Sequence, residues 1–232
     1  MKKILLTFGM ILTSVIYTGC ASTTSKQAPR DISSFQSNMP RSILVLPPVN
    51  DSPDVKATYS YWSGVTFPVA EAGYYVFPMS VVDSMFKENG VTNGSDAQSI
   101  APQKLREIFG ADAALYIRIK EYGSSYKIVQ SVTTVSAEAK LVDLKTGTVL
   151  WTGHESETRS SDNGNSNLIG ALVGAIVEQV SSSLNDHAYP LALSVNSRML
   201  TPTSSDPGRG LLYGPRSPKF QSEGQTQLQT NK

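Results

Sequence analysis

The chain has 232 residues, with 20 basic and 19 acidic side chains, two histidines and one cysteine. So even a balance gives no electrostatic argument for nucleic acid or an anionic surface as partner, and one cysteine excludes an internal disulfide. Hydrophobic residues make up 40% of the sequence, and polar segments lie at both ends. The middle is therefore about the size of one ordinary domain, able to bury a core without cross-links.

Lys2 and Lys3 make a charged start, and Ile4 to Ile16 is an apolar stretch broken by Thr7, Gly9, Thr13 and Ser14. A spanning helix needs roughly 20 apolar residues, so residues 1–19 read as a cleaved secretory signal. Tyr17-Thr18-Gly19-Cys20 resembles the lipobox of bacterial lipoproteins. In that motif small residues admit the signal peptidase and the thiol receives a diacylglyceryl group. Tyr17 departs from the Leu, Val or Ile usual at its position. The resemblance implies lipidation of Cys20, and Ala21 in place of Asp implies sorting to the outer membrane. Residues 20–40, rich in Ser, Thr, Gln and Asn, read as a flexible tether.

Order is expected from Arg41, in a globular domain over 41–200. Ser42 to Leu46, stopped by Pro47 and Pro48, reads as a buried strand. Asn50 to Pro68 is left undecided between loop and helix near Val55 to Tyr61. Val69 to Gly73 reads as a short helical turn, and Tyr74 to Phe77 as a second strand. Met79, Val82, Met85 and Phe86 recur at helical spacing, which predicts a helix from Met79 to Glu88 closed by Asn89-Gly90. A further helix is predicted from Pro102 to Phe109, with proline in the first turn and Gly110 past its end.

Ala113 to Tyr122 alternates as a strand, and Tyr126 to Leu144 reads as one long, bent strand. Lys145-Thr146-Gly147 turns into Val149-Leu150-Trp151, a hairpin signal. Leu168, Leu172, Ile176, Val180 and Leu184 form a ladder that predicts a helix from Asn167 to Leu184. Residues 201–232 lose all periodicity and read as a disordered tail. The expected fold is a single α/β (α+β) domain with helices packed on a mixed sheet.

Ala72-Gly73-Tyr74-Tyr75-Val76-Phe77-Pro78, Phe86-Lys87-Glu88-Asn89-Gly90, the run Phe109 to Ile117, and Leu141-Val142-Asp143-Leu144 with Thr146-Gly147 and Leu150-Trp151 resemble the GNA-type lipoprotein family. The resemblance covers roughly Arg41 to His187. It implies the α/β fold of the TolB amino-terminal domain and of the curli-secretion lipoprotein CsgG. It also implies an envelope lipoprotein, surface or periplasm-facing, without an established enzymatic activity. Fold alone delivers no function.

Catalytic motifs are missing: there is no phosphate loop with a following lysine, no nucleophile elbow and no His-Glu-x-x-His. Gly208-x-Gly210 with Gly214 follows no strand and reads as a compositional accident. His154, Glu155 and Glu157 could in principle hold a metal. On a strand, though, Glu155 is expected to face away from the other two, and a solvated hairpin is the better reading. Asp51 and Asp54 around Pro53 read as turn formers and not as a carboxylate pair. No catalytic residue, metal site or cofactor is expected.

Two features suggest contacts. Tyr59, Tyr61, Trp62 and Phe67 are many aromatics for one connection, and either anchor an interface or cover the sheet edge. Gly170 and Gly174, four apart, allow close helix packing, more readily against the domain's own sheet than against another subunit. The function expected is an outer-membrane lipoprotein working through contacts with other envelope proteins, as a homo-oligomer or beside a secretion assembly. The alternative is a lipoprotein regulator of a peptidoglycan synthase, which would need a long tether. A channel with membrane-spanning strands is disfavoured, because the one long strand lacks a clean apolar face.

Overall fold

The apolar run after Arg41 forms β1 (Ser42–Val45), and Pro47-Pro48 separates it from the short β2 (Val49–Asn50). The computed structural model describes residues 33–127, 130–160, 186–203 and 210–220. Cys20 and the predicted helix from Asn167 to Leu184, with Gly170 and Gly174, lie outside the described residues.

A first helix, α1 (Ser33–Ser37), precedes β1. After β2 come α2 (Ala57–Ser63) and α3 (Thr66–Glu71), then β3 (Tyr75–Val76). Three helices follow: α4 (Met79–Glu88), α5 (Gly94–Ser99) and α6 (Pro102–Phe109). A long meander of β4 (Ala113–Lys127), β5 (Gln130–Asp143) and β6 (Val149–Ser160) leads to the last described helix, α7 (Ala188–Leu200).

The sheet order is β3-β1-β4-β5-β6, with β2 also paired to β4. β1 runs parallel to β3 and β4, whereas β4, β5 and β6 are antiparallel. The expected mixed α/β sheet is therefore present. Its two halves are covered differently. Ile43, Leu44 and Val45 in β1 and Ala113 to Ile117 in β4 are all buried, as strands covered on both faces must be. In β5 and β6 buried Ala137, Ala139, Leu141 and Trp151 alternate with exposed Glu138, Lys140, Thr152 and His154, so that half keeps one wet face.

A bulge between Ile119 and Glu121 inserts one residue. This returns Tyr122 to the same buried face as Ile119, three positions earlier. α7 packs across that face, and Gly64 between α2 and α3 lets it come close. A Cβ at Gly64 would lie 2.7 Å from Leu193 Cδ2 and 3.0 Å from Asn196 Nδ2.

The helices from Met79 to Glu88 and from Pro102 to Phe109 have the predicted bounds, and Gly110 closes the latter at φ 67°. Other expectations are corrected. The stretch from Tyr126 to Leu144 is not one bent strand: β4 continues to Lys127, the chain reverses, and β5 starts at Gln130. No glycine or proline marks that reversal. The tether expectation for residues 20–40 fails over 33–40, where α1 forms and Phe35 is 1% exposed, because one aromatic finds a place in the core.

The disordered-tail expectation fails over 210–220. Leu211 is buried and its N–H donates to the Leu200 carbonyl. The N–H groups of Gly214 and Arg216 donate to Ala72 and Gly73. The segment is a strap held by backbone hydrogen bonds, which carry no hydrophobic period.

Candidate functional site

The parallel strands give the domain two unlike ends. At the end where β1 begins, the chain arrives from α1, and the Tyr74 hydroxyl donates to the Leu212 carbonyl at 2.7 Å with Met39 Sδ 3.9 Å away. The N-terminal segment and the strap thus meet on one phenol. Towards the other end, past the carboxyl end of β1 and alongside β2, a cleft of about 290 Å³ opens. In open sheets of this kind ligand sites lie beyond the carboxyl ends of the parallel strands.

Pro47, Pro48 and Val49 line the cleft's floor, Val55, Thr58 and Tyr59 one wall, Asp83 and Phe86 of α4 the other, and Val91 to Ser95 the entry to α5. Each wall is fixed by local chemistry. Asn50 Oδ1 accepts from Ser52 N and Oγ, and Asn50 Nδ2 donates to the Asp54 carbonyl, which folds the loop after β2 into a tight turn. Asn93 caps α5, its Oδ1 accepting from Asp96 N at 2.9 Å. Gly94 sits so close to the Pro48 carbonyl that any Cβ there would collide with it. Gln98 Nε2 donates to the carbonyls of Pro47 and Ile117, locking α5 to the floor.

The polar rim is one small network. The Asp83 carboxylate accepts from Lys87 Nζ at 2.8 Å and from the Tyr59 hydroxyl at 3.1 Å, and Lys87 lies 5.2 Å from the Tyr59 ring centre. The hydrogen bond from Lys87 to Asp83, with Tyr59 beside it, holds its ammonium above its ordinary pKa. A rim of apolar wall, aromatic edge and one satisfied ion pair suits the docking of a surface better than the activation of a nucleophile.

The aromatic cluster splits. Tyr61 and Trp62 are core residues, Trp62 being 1% exposed, while Tyr59 and Phe67 are 44% and 73% exposed. The reading of Tyr61 and Trp62 as contact anchors is therefore corrected. Helix α2 turns positions 61 and 62 inward and 59 outward, and Phe67 projects from α3. The Tyr61 hydroxyl is buried without a hydrogen-bond partner among the described residues, and burial, with Glu155 adding, pushes its pKa up.

Asp51 and Asp54 do not converge. Asp51 pairs with Arg118 at 2.7 Å and Lys120 at 3.2 Å, the Arg118 guanidinium holding its carboxyl below the usual value, and Asp54 Oδ1 accepts from Lys56 N. The expected geometry around His154 is also corrected. Side chains two apart share a face, so Glu155 and Glu157 both meet Arg198 of α7, at 3.5 and 3.2 Å, and His154 lies on the opposite, wet face.

Sequence reasoning missed a carboxylate latch. Asp186 Oδ2 accepts from Ser60 Oγ at 2.6 Å and from Tyr122 OH at 2.7 Å, and Oδ1 accepts from Tyr189 N. It ties α2, β4 and the start of α7 together. Burial, ahead of the Asp186 contact, raises the Tyr122 pKa. No periodicity points to it, since the three residues are joined only by the fold.

Comparison with known proteins agrees with the sequence resemblance. A family model for GNA1162-like lipoproteins matches residues 30–216. The lipoprotein NMB1124/NMB1162 of Neisseria meningitidis serogroup B is 49% identical over 186 residues, covering 80% of this chain and 85% of that one. The crystal structure of lipoprotein GNA1162 from Neisseria meningitidis has a TM-score of 0.51 at 53% identity, covering 61% of this chain and 99% of that one. The PelC dodecamer from Paraburkholderia phytofirmans has a TM-score of 0.40 at 15% identity, covering 67% and 83%, a likeness too distant to carry a functional argument. A model match over most of the chain, with a relative of this identity, settles the family: the chain belongs to the GNA1162-like lipoproteins.

Proposed function

We propose that this protein is an outer-membrane lipoprotein, held by acyl chains on Cys20, that works by presenting its cleft to another envelope protein. The observation that carries this reading is the polarity of the domain. The chain enters beside Met39 and Tyr74, while the cleft between α2, α4 and α5 opens at the opposite end of the parallel strands. A tethered domain with its concave site turned away from the tether is built to meet a partner, and Tyr59 on the rim supplies a rigid aromatic contact. A component of a secretion or transport assembly is the class of partner this arrangement serves.

Regulation of a peptidoglycan synthase is the second reading, and tether length bears on it. With residues 33–40 folded onto the domain, residues 20–32 reach at most ~45 Å even when fully extended. Such a partner would have to come close to the outer membrane.

The test uses the full chain in a Gram-negative host. Wild type is expected to start at an acylated Cys20 by intact mass and to float with outer membranes, and Cys20→Ser to do neither. A photo-crosslinking residue at Thr58, inside the cleft, is expected to give a discrete adduct that Tyr59→Ala abolishes. Adducts that form only from the wet face of β5 and β6, for example from Lys140, would sink the cleft reading and leave the anchor standing.

A further inference from the structure

We propose that the strap and the edge of the sheet beside it form the face that the domain lays on the bilayer, an aromatic and basic strip that meets anionic lipid headgroups. The near-neutral charge of the whole chain conceals this strip. Residues 210–220 carry Arg216 and Lys219 and no acid. The Arg216 guanidinium lies 5.5 Å from the ring centre of Tyr75, and Lys219 Nζ lies 5.4 Å from that of Tyr213. Arg41 stands alongside, its carbonyl accepting from Tyr75 N. Arg41, Tyr75, Arg216 and Lys219 are all exposed.

Cations held over aromatic rings at the rim of a fold have the composition that proteins place at headgroup level. Asp112, the neighbouring acid, is spent on the N–H groups of Arg41 and Ser42 and on the Ser42 hydroxyl. Among the described residues, Glu71 on the last turn of α3 is a further exposed acid close by in sequence, so the net charge is small and the attraction modest.

Position supplies the rest. The strap is joined to the end of the tether through the Tyr74 hydroxyl, which contacts both Leu212 and Met39. The lipid proposed on Cys20, on which this inference rests, keeps that end within ~45 Å of the bilayer. Confinement makes docking intramolecular, and a weak preference for one face is then enough to orient the domain.

Gly73 keeps the strap in place. It adopts φ 98°, and a side chain there would run into the Ser217 backbone. The strip is thus a fixed feature of the folded domain.

The lipidated full chain in vesicles provides the test. Acylation occupies the chain's one cysteine, so Pro218→Cys and, separately, Val55→Cys each give a single site for a donor dye, read by energy transfer to headgroup acceptors. In phosphatidylcholine vesicles containing phosphatidylglycerol, the dye at position 218 is expected to transfer strongly and the dye at position 55, beside the cleft, weakly. Omitting phosphatidylglycerol should weaken the transfer from position 218. A basic residue beside an anionic surface contributes about fivefold in partitioning. Arg216→Gln with Lys219→Gln should therefore lower the docked-to-undocked ratio by roughly 25-fold, and Arg216→Lys with Lys219→Arg should preserve it. Equal transfer from the two positions, or indifference to phosphatidylglycerol and to neutralisation, overturns this orientation while leaving the anchor intact. A chain that does not float with the vesicles overturns the anchor, and the orientation with it.

Discussion

Trp62→Ala against Phe67→Ala separates the core from the contact surface within one aromatic cluster. Trp62 is 1% exposed and sits beneath α2 in the main core, 6.2 Å from the Tyr59 ring, whereas Phe67 is 73% exposed. A buried tryptophan removes up to about 250 Å² from water. At roughly 25 cal/mol per Å² that is about 6 kcal/mol, an upper bound because unfolded chains already bury part of it. Truncations of this kind cost about 3–5 kcal/mol once the cavity partly relaxes. For a domain of this size that corresponds to a fall in Tm of about 8–16 °C. Phe67→Ala should stay within about 0.5 kcal/mol.

Thermal and urea unfolding of the two variants beside wild type measures both. A Trp62→Ala chain within about 1 kcal/mol of wild type would refute the packing of α2 described here. Loss of stability in Phe67→Ala to match would refute the assignment of Phe67 to the surface. The comparison also guards the functional reading: loss of partner capture in a Trp62 variant reports unfolding, and only Tyr59 tests the cleft.

The Asp186 latch and the buried phenols give two further expectations. Asp186→Asn removes the charge that accepts from Ser60 and Tyr122. It should cost about 2–3 kcal/mol, read as a lower urea midpoint at unchanged m-value, and the cost should shrink in a Tyr122→Phe background. Tyr61, Tyr74, Tyr116 and Tyr122 all have raised pKa values, with burial as the leading cause. A phenol whose folded pKa exceeds its unfolded value contributes stability that is complete below pH of about 10 and is lost as pH rises above it. In an alkaline titration these four should ionise together with unfolding; graded ionisation of the four ahead of unfolding would contradict their burial.

The legible parts of the sequence were those whose signals are local. Apolar positions at helical spacing marked Met79 to Glu88, Pro102 and Gly110 bracketed α6, and Lys145 to Gly147 announced the turn before β6. The rest depends on distant partners. α2 and α3 are two short helices broken at Gly64, whose lack of a side chain is explained only by Leu193 and Asn196 across the core. α7 carries Pro190 and Asn196, both discouraging in a helical reading. Pro190 falls in the first turn, where no N–H is needed, and Asn196 Nδ2 donates to the Tyr61 carbonyl inside the core. The strap was hidden because its docking is encoded at Gly73 and Tyr74, more than a hundred residues earlier. The cleft was hidden for the same reason, since Pro47, Tyr59, Asp83 and Asn93 come from four separate elements.

The two ends of the parallel strands constrain what the domain can reach. From Ser42 the chain rises along β1 to the cleft floor at Pro47 to Val49, and at about 3.3 Å per residue that floor stands roughly 15–25 Å above the tether end. With the strap on the headgroups, the cleft faces away from the bilayer at about that height, and its partner must extend to it. Undocked, the domain can rise further, but only by the ~45 Å that residues 20–32 allow. A partner fixed in the outer membrane needs a protruding element of that height, whereas one rooted in the opposite membrane must span most of the gap itself. Under the anchor proposed at Cys20, a partner that comes within this reach is expected in preference to one that stays across the periplasm. Lengthening the chain between Cys20 and Ser33 discriminates between them, since added reach should help a distant partner and leave a neighbouring one unchanged.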